Sequence, residues 1–322
     1  MAGGVRTVAA DGGCALSGCL TAWVRRLFLL AFIWGWSFLF IKVAVAGITP
    51  TAVAWSRIAF GALVLVAVLR HRGDRIPLDA RSLRHFAVVA LAGNIVPFSL
   101  LAWAETHITS ALTAVLNAST PLYTAVLAAI ALRERLRPAQ IAGLAVGICG
   151  VAIAAGVGAS DLQGSSAAGA AAAASAGIGY GIAFVYMRRH LVSYPPLTAA
   201  AGQLVAGTVL LGPFAIAASA VSGVSLTFTR VGAVVLLGAI GTGAAYVLSY
   251  RIIAEVGATR ASLVTYLVPI VAVVVGVVVL GEPFGWRPVL GGALTIGGIV
   301  WVNRGRRETK VPAPAPAATG RT

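Results

Sequence analysis

Apolar residues fall into ten long runs, at about 27–46, 52–69, 86–104, 108–132, 139–157, 169–187, 197–220, 231–250, 261–280 and 287–303, separated by short polar connections. Each run is near the roughly 20 residues with which a helix crosses a hydrocarbon core of about 30 Å. Only helices or closed barrels satisfy their backbone in lipid, and runs of this length predict helices. The expected architecture is therefore an all-α integral membrane protein with ten transmembrane helices.

Polar positions inside the runs are few and ordered. In the fourth run Thr113, Asn117, Thr120 and Thr124 recur at i, i+4, i+7 and i+11, which places them on one helix face beside Pro121. Hydroxyls on such a face either bond back to their own helix or line a wet cavity. Pro121 removes one backbone donor and leaves a carbonyl in need of a partner. The ninth run repeats the arrangement with Thr265, Tyr266 and Pro269.

The repetition is general. Shifted by 148 residues, Gly93 falls on Gly241, Pro121 on Pro269, Glu134 on Glu282, Gly143 on Gly291 and Gly150 on Gly298. Near the start of each half a shift of 146 places Gly35 on Gly181, Phe38 on Phe184, Pro50 on Pro196 and Gly61 on Gly207. The chain is a five-helix unit used twice, and because five is odd the second copy enters the membrane from the opposite side. Inverted repeats of this kind are common in secondary transporters, where a substrate site lies between the halves.

Charge fixes the direction. Of the 24 Lys and Arg residues, 20 lie in one alternating set of connections and tails, from Arg6, Arg25 and Arg26 through Arg70–Arg84, Arg133–Arg137, Arg188, Arg189, Arg251 and Arg260 to the C-terminal tail. The other set holds Lys42, Arg230 and Arg287, and Arg57 lies within a run. The positive-inside rule then predicts both termini in the cytoplasm of a multi-pass plasma (inner) membrane protein. A composition of 59% hydrophobic and 10% charged residues, with mean hydropathy +0.94, excludes a soluble domain. The net charge of +15 is accordingly a marker of sidedness, not of nucleic-acid binding.

The expected division is a cytoplasmic N-terminal tail over 1–24, a first repeat over 25–158, an outer linker over 159–168, a second repeat over 169–304 and a disordered cytoplasmic tail over 305–322. The tail is basic and then Pro/Ala-rich. Cys14, Cys19 and Cys149 have neither disulfide nor metal-ligand spacing. No Walker loop, HExxH or confined Ser/His/Asp set is present, so no cofactor and no metal are expected.

The stretches WGWSF (34–38), SRIAFGAL (56–63), AETHITSALTAVLNASTPLYTAVLA (104–128) and GATRASLVTYLVPIVAVVVGVVVLGEP (257–283) together resemble the EamA family of the drug/metabolite transporter superfamily. The resemblance extends over about 25–304 and implies ten helices in two inverted five-helix EamA repeats, cytoplasmic termini, and export or exchange of small solutes such as amino acids, metabolites or drugs. One departure is Arg133, which stands where the second repeat has Gly281.

Candidate path residues follow from the polar positions. Thr113, Asn117, Thr120, Thr124, Thr265 and Tyr266 are joined by Tyr246, Ser249 and Tyr250 in the eighth run, and by Asn94, the mate of Thr242, in the third. Trp34 pairs with Tyr180 across the repeat, as packing or as cavity wall. Arg57, whose mate is Gln203, snorkels outward, pairs with Glu105, or takes part in substrate binding or gating, where an anionic group would favour it. Glu134 and Glu282, matched across the repeat, are candidates for a structural or gating role at the two mouths, and Glu105 is a third gate candidate; with His107 it lies at the outer rim, either carrying protons or in a solvent-exposed loop.

No carboxylate falls near the middle of a run, which points to facilitated export or exchange. The expected partners are a small polar or amphipathic solute and the lipid bilayer. A membrane-embedded enzyme would need clustered His, Asp or Glu, yet the four histidines are scattered. A passive channel or scaffold would not need an inverted repeat.

Overall fold

The computed structural model describes residues 12–131, 133, 136–154, 165–261, 263–283 and 285–304. Glu134, most of the expected linker, the tail over 305–322 and the first eleven residues lie outside the described residues. Described segments are helical, with no strand among them.

They form ten rods: α1 (Gly12–Val45), α2 (Pro50–His71), α3 (Ala80–Ala104), α4 (Ser110–Ala131), α5 (Pro138–Ala154), α6 (Ser166–His190), α7 (Pro196–Ser222), α8 (Phe228–Val256), α9 (Val264–Leu280) and α10 (Trp286–Val302). Seven of them, α1 to α4 and α6 to α8, are long and apolar enough to cross a membrane. The others differ from the ten-span expectation by length: α5 and α9 have 17 residues each, and α10 is in the same class. At 1.5 Å per residue such a helix covers only about 25 Å.

The connections α1–α2, α3–α4, α7–α8 and α9–α10 gather at one end, which is poor in cations. Lys42 Nζ donates to the carbonyls of Glu105 (2.6 Å) and Ile108 (2.9 Å), and the Ser225 amide donates to the Gly47 carbonyl at 2.8 Å. The opposite, cation-rich end joins α3 to the α6–α7 region through Ser82 and Tyr194, whose hydroxyls are 2.8 Å apart. An exposed ion pair there links Arg26 to Glu255.

Glycines record how the halves meet. A Cβ on Gly150 would lie 2.7 Å from the Gly291 carbonyl oxygen, and one on Gly143 would lie 2.9 Å from that of Gly298. The numbers rise on α5 as they fall on α10, so these helices run antiparallel. Each glycine also packs on the other's repeat mate, as a twofold relation requires. The same crossing joins α2 to α7, where a Cβ on Gly61 would meet Leu204 at 3.2 Å and one on Gly207 would meet Ile58 at 3.1 Å. Repeat-related helices therefore run in opposite directions. Without Cβ atoms the backbones approach closely, the usual basis of helix association where lipid removes the hydrophobic drive.

Candidate functional site

Two π-helical turns organise the polar groups. One occupies Leu91–Ile95 within α3 and the other Ala239–Ala244 within α8, so they start 148 residues apart, in register with the repeat. Such turns insert an extra residue and re-aim the side chains beside it. In α3 the turn carries Asn94, 1% exposed, whose amide donates to the Tyr246 hydroxyl at 3.3 Å. In α8 it carries Thr242, wholly buried, whose hydroxyl accepts from Arg57 Nε at 2.9 Å.

Arg57 is 9% exposed, and its guanidinium carbon lies 3.9 Å from the centre of the Phe98 ring. The expected pairing with Glu105 is not formed: among the described residues the ion pair within 4.0 Å is Arg26–Glu255. Phe98 and Thr242 hold the guanidinium instead, through its π-face and its Nε. The fork of terminal nitrogens is left for other acceptors.

A cavity of about 310 Å³ opens beside this arginine. Trp34, Arg57, Asn117, Thr120, Tyr180, Gln203, Tyr246, Ser249, Tyr250 and Thr265 line it, as do Pro121 and Pro269. Asn94 stands behind the wall, reaching the cavity through Tyr246. Thr113 is wholly buried and donates to the Thr109 carbonyl, Thr124 donates to the Thr120 carbonyl, and both lie outside the lining. Tyr266 packs instead with the buried cluster of Leu122, Leu144 and Ile299.

Pro121 does not simply kink its helix. The fourth rod breaks into Ser110–Asn117 and Thr120–Ala131, and Thr120 donates its hydroxyl to the Asn117 carbonyl at 2.8 Å. That carbonyl is the one a residue without an amide proton at 121 cannot serve. The mate Pro269 lies inside the continuous helix α9.

The wall is built largely in mated pairs: Trp34 with Tyr180, Phe38 with Phe184, Arg57 with Gln203, Phe98 with Tyr246, Leu101 with Ser249 and Asn117 with Thr265 all line the cavity. Phe38, Phe184 and Phe98 are wall residues that polarity alone passes over; the repeat register is the signal that finds them. Symmetry fails in α8, where Tyr250 and Ile253 line the cavity while their mates Ala102 and Glu105 are 1% and 0% exposed. On α8 the lining thus extends further toward the cation-rich end, while elsewhere it is matched: Met187 and its mate Ile41 both line the cavity.

At the cation-poor end one gate candidate, Glu282, is held by main-chain amides. Gly281 takes a left-handed conformation (φ 65°) that ends α9 and turns the chain back, so that Glu282 reaches α4. Its carboxylate oxygens accept from the amides of Ser110 (2.7 Å) and Ala111 (3.0 Å), capping that helix with an anion where unpaired donors and the helix dipole favour one. Arg133, the mate of Gly281, also has a positive φ of 54°, so the repeat retains the backbone turn without the glycine. Glu105 departs from the exposed-rim expectation: it is wholly buried, and neither carboxylate oxygen has a hydrogen-bond partner among the described residues. His107 is half-buried, its ring against Trp103 with centres 4.0 Å apart.

Comparison with known proteins agrees with this architecture. The EamA-like transporter family matches twice, over residues 21–156 and 167–304. A probable terminal-alkyne amino-acid exporter of Streptantibioticus cattleyicolor is 31% identical, covering 90% of this chain and 97% of its own length. An uncharacterized transporter of Archaeoglobus fulgidus is 29% identical over 88% of this chain and 99% of that one. The uncharacterized inner membrane transporter YedA of Escherichia coli is 27% identical over 80% and 82%. A crystal structure at 20% identity superposes with a TM-score of 0.62, covering 87% of this chain and 96% of that one, which bears on the fold alone. With two family matches spanning both halves, this chain belongs to the EamA-like transporter family.

Proposed function

We propose that this chain is a secondary transporter that exports or exchanges a small amphipathic solute bearing a carboxylate, an amino acid being the simplest case, by alternating access. In this reading all ten rods span the inner membrane, the cation-rich end and both termini face the cytoplasm, and the cavity is open toward that side. The observation that carries the reading is the cavity itself, lined by mated residues of two antiparallel repeats. Two halves of equivalent backbone have two equivalent ways to pack, which alternating access requires.

The solute class follows from the wall. Among the described residues Arg57 is its one cation and no Asp or Glu lines it, so an anionic group is favoured and a lone cation is not. Trp34, Phe38, Phe98 and Phe184 offer apolar faces for the remainder of the molecule. The name of the Streptantibioticus relative, an amino-acid exporter, points the same way.

The test is counterflow into liposomes containing the purified protein, with labelled neutral amino acids, the matching hydroxy acids and the matching decarboxylated amines. Saturable, trans-stimulated exchange of the acids and not of the amines is expected. Non-saturating flux would overturn the carrier, and equal exchange of amines would overturn the carboxylate requirement.

A further inference from the structure

We propose that Glu105 is a proton-binding site loaded from the cation-poor compartment, and that protonating it permits the cation-poor mouth to close. This rests on the alternating-access reading above.

Glu105 lies in the turn after α3, wholly buried, with neither carboxylate oxygen accepting a hydrogen bond from the described residues. Lys42, the nearest candidate counter-ion, spends its ammonium on the main-chain carbonyls of Glu105 and Ile108. An ionised carboxylate so placed would lack both water and a partner, a cost the neutral acid avoids. Burial pushes this carboxyl well above the usual carboxylate range; Lys42 opposes the shift, Glu282 adds to it and Arg57 opposes it again. Those are the charged groups acting on Glu105 from α1, from the α9–α10 connection and from α2. His107 follows two residues on, and the α4 first turn and the packed part of α6, Ser166 to Gly179, contain no titratable side chain.

The repeat supplies the second, independent argument. Glu105 is the mate of Ile253, which lines the cavity toward the other end. When the two halves exchange conformations, each side chain takes the surroundings of its mate. Glu105 then faces the cavity as it opens at the cation-poor end, and meets water there. One state hydrates the carboxyl and the other buries it unpaired, so the burying state binds the proton more tightly.

The sign follows by linkage. The closed-to-open ratio of the cation-poor mouth is highest at low pH. It falls about tenfold per pH unit between the ordinary carboxylate value of about 4.3 and the raised value of the closed form. No covalent step is involved; a proton moves from water to a Glu105 carboxylate oxygen and back.

Hydrogen–deuterium exchange of full-length protein in nanodiscs, followed over 101–113 and corrected for intrinsic rates, tests this without any solute. In the wild type, protection of this segment should decrease as pH rises; in Glu105→Gln it should remain high and independent of pH. The same pH dependence in Glu105→Gln, or none in the wild type, overturns the site. Should that variant fail to fold, infrared spectra decide. The wild type should show a protonated-carboxyl stretch at neutral pH that moves in Glu105→Asp, and its absence overturns the proposal. Labelled amino-acid counterflow on the same preparation separates the two readings: saturable exchange alongside pH-independent protection removes the proton site and leaves the carrier standing.

Discussion

Arg57 and Gln203 occupy equivalent places in the two halves and line one cavity, yet only the first carries charge; Glu105 and Ile253 are likewise equivalent, and only the first titrates. The backbones around them match closely, down to the π-helical turns 148 residues apart. Function and symmetry are thus divided between two levels. Under the proposed carrier, paired backbone would give the halves two interchangeable arrangements, while unpaired side chains would decide what is bound and which arrangement is favoured under given conditions.

The comparison can be broken most severely at the charge. Arg57→Gln makes the two sites alike, and the loss of a charge-assisted contact of about 1.5–3 kcal/mol predicts a decrease of about 10- to 100-fold in carboxylate exchange, with membrane insertion unaltered. Counterflow kinetics measure it, and unchanged exchange would return Arg57 to a purely structural part. Next comes the shared seam. Gly150→Leu forces a side chain against the Gly291 carbonyl, where backbone cannot yield cheaply, and should destabilise the fold by about 1–3 kcal/mol, read as a lower thermal midpoint in detergent.

A milder change restores symmetry. Arg133→Gly gives the first repeat the glycine of the second at a residue whose φ is 54°, and should raise the thermal midpoint by relieving about 1–2 kcal/mol of left-handed strain. The smallest effect is expected for Thr242→Val, which removes the acceptor of Arg57 Nε at 2.9 Å and leaves the cation–π contact with Phe98. A loss of about 1 kcal/mol would increase KM about fivefold with little change in maximal rate. A fall in rate alone would place Thr242 in the conformational step instead.

Much of this was legible in the chain. The apolar runs locate the rods, the offsets of 148 and 146 locate the halves, and an odd number of helices per half makes them antiparallel. Arg57 and Asn117 stand out as polar residues inside apolar runs, and Trp34 and Tyr180 as aromatics matched across the repeat. Other parts were not. Nothing in LAGNI or AIGTGA announces a π-helical turn, because the extra residue is accommodated by neighbours brought in from other helices. The Thr stripe of α4 is regular in sequence, but the break at Ala118–Ser119 divides its faces, so Asn117 and Thr120 line the cavity while Thr113 and Thr124 do not.

Glu105 marks the boundary between the two kinds of knowledge. Its place at the end of an apolar run, next to a short loop, gave every sign of an exposed rim. Its burial comes from α1, α4, α6 and the α9–α10 connection converging there, as Lys42 and Glu282 show by bonding across that end. Sequence alone determined where the apolar helices fall and that their unit is used twice, since the length of an apolar run answers to the bilayer, a partner that acts on each segment separately. Depth, partners and the state of the two mouths belong to tertiary structure, because they depend on which distant segments meet.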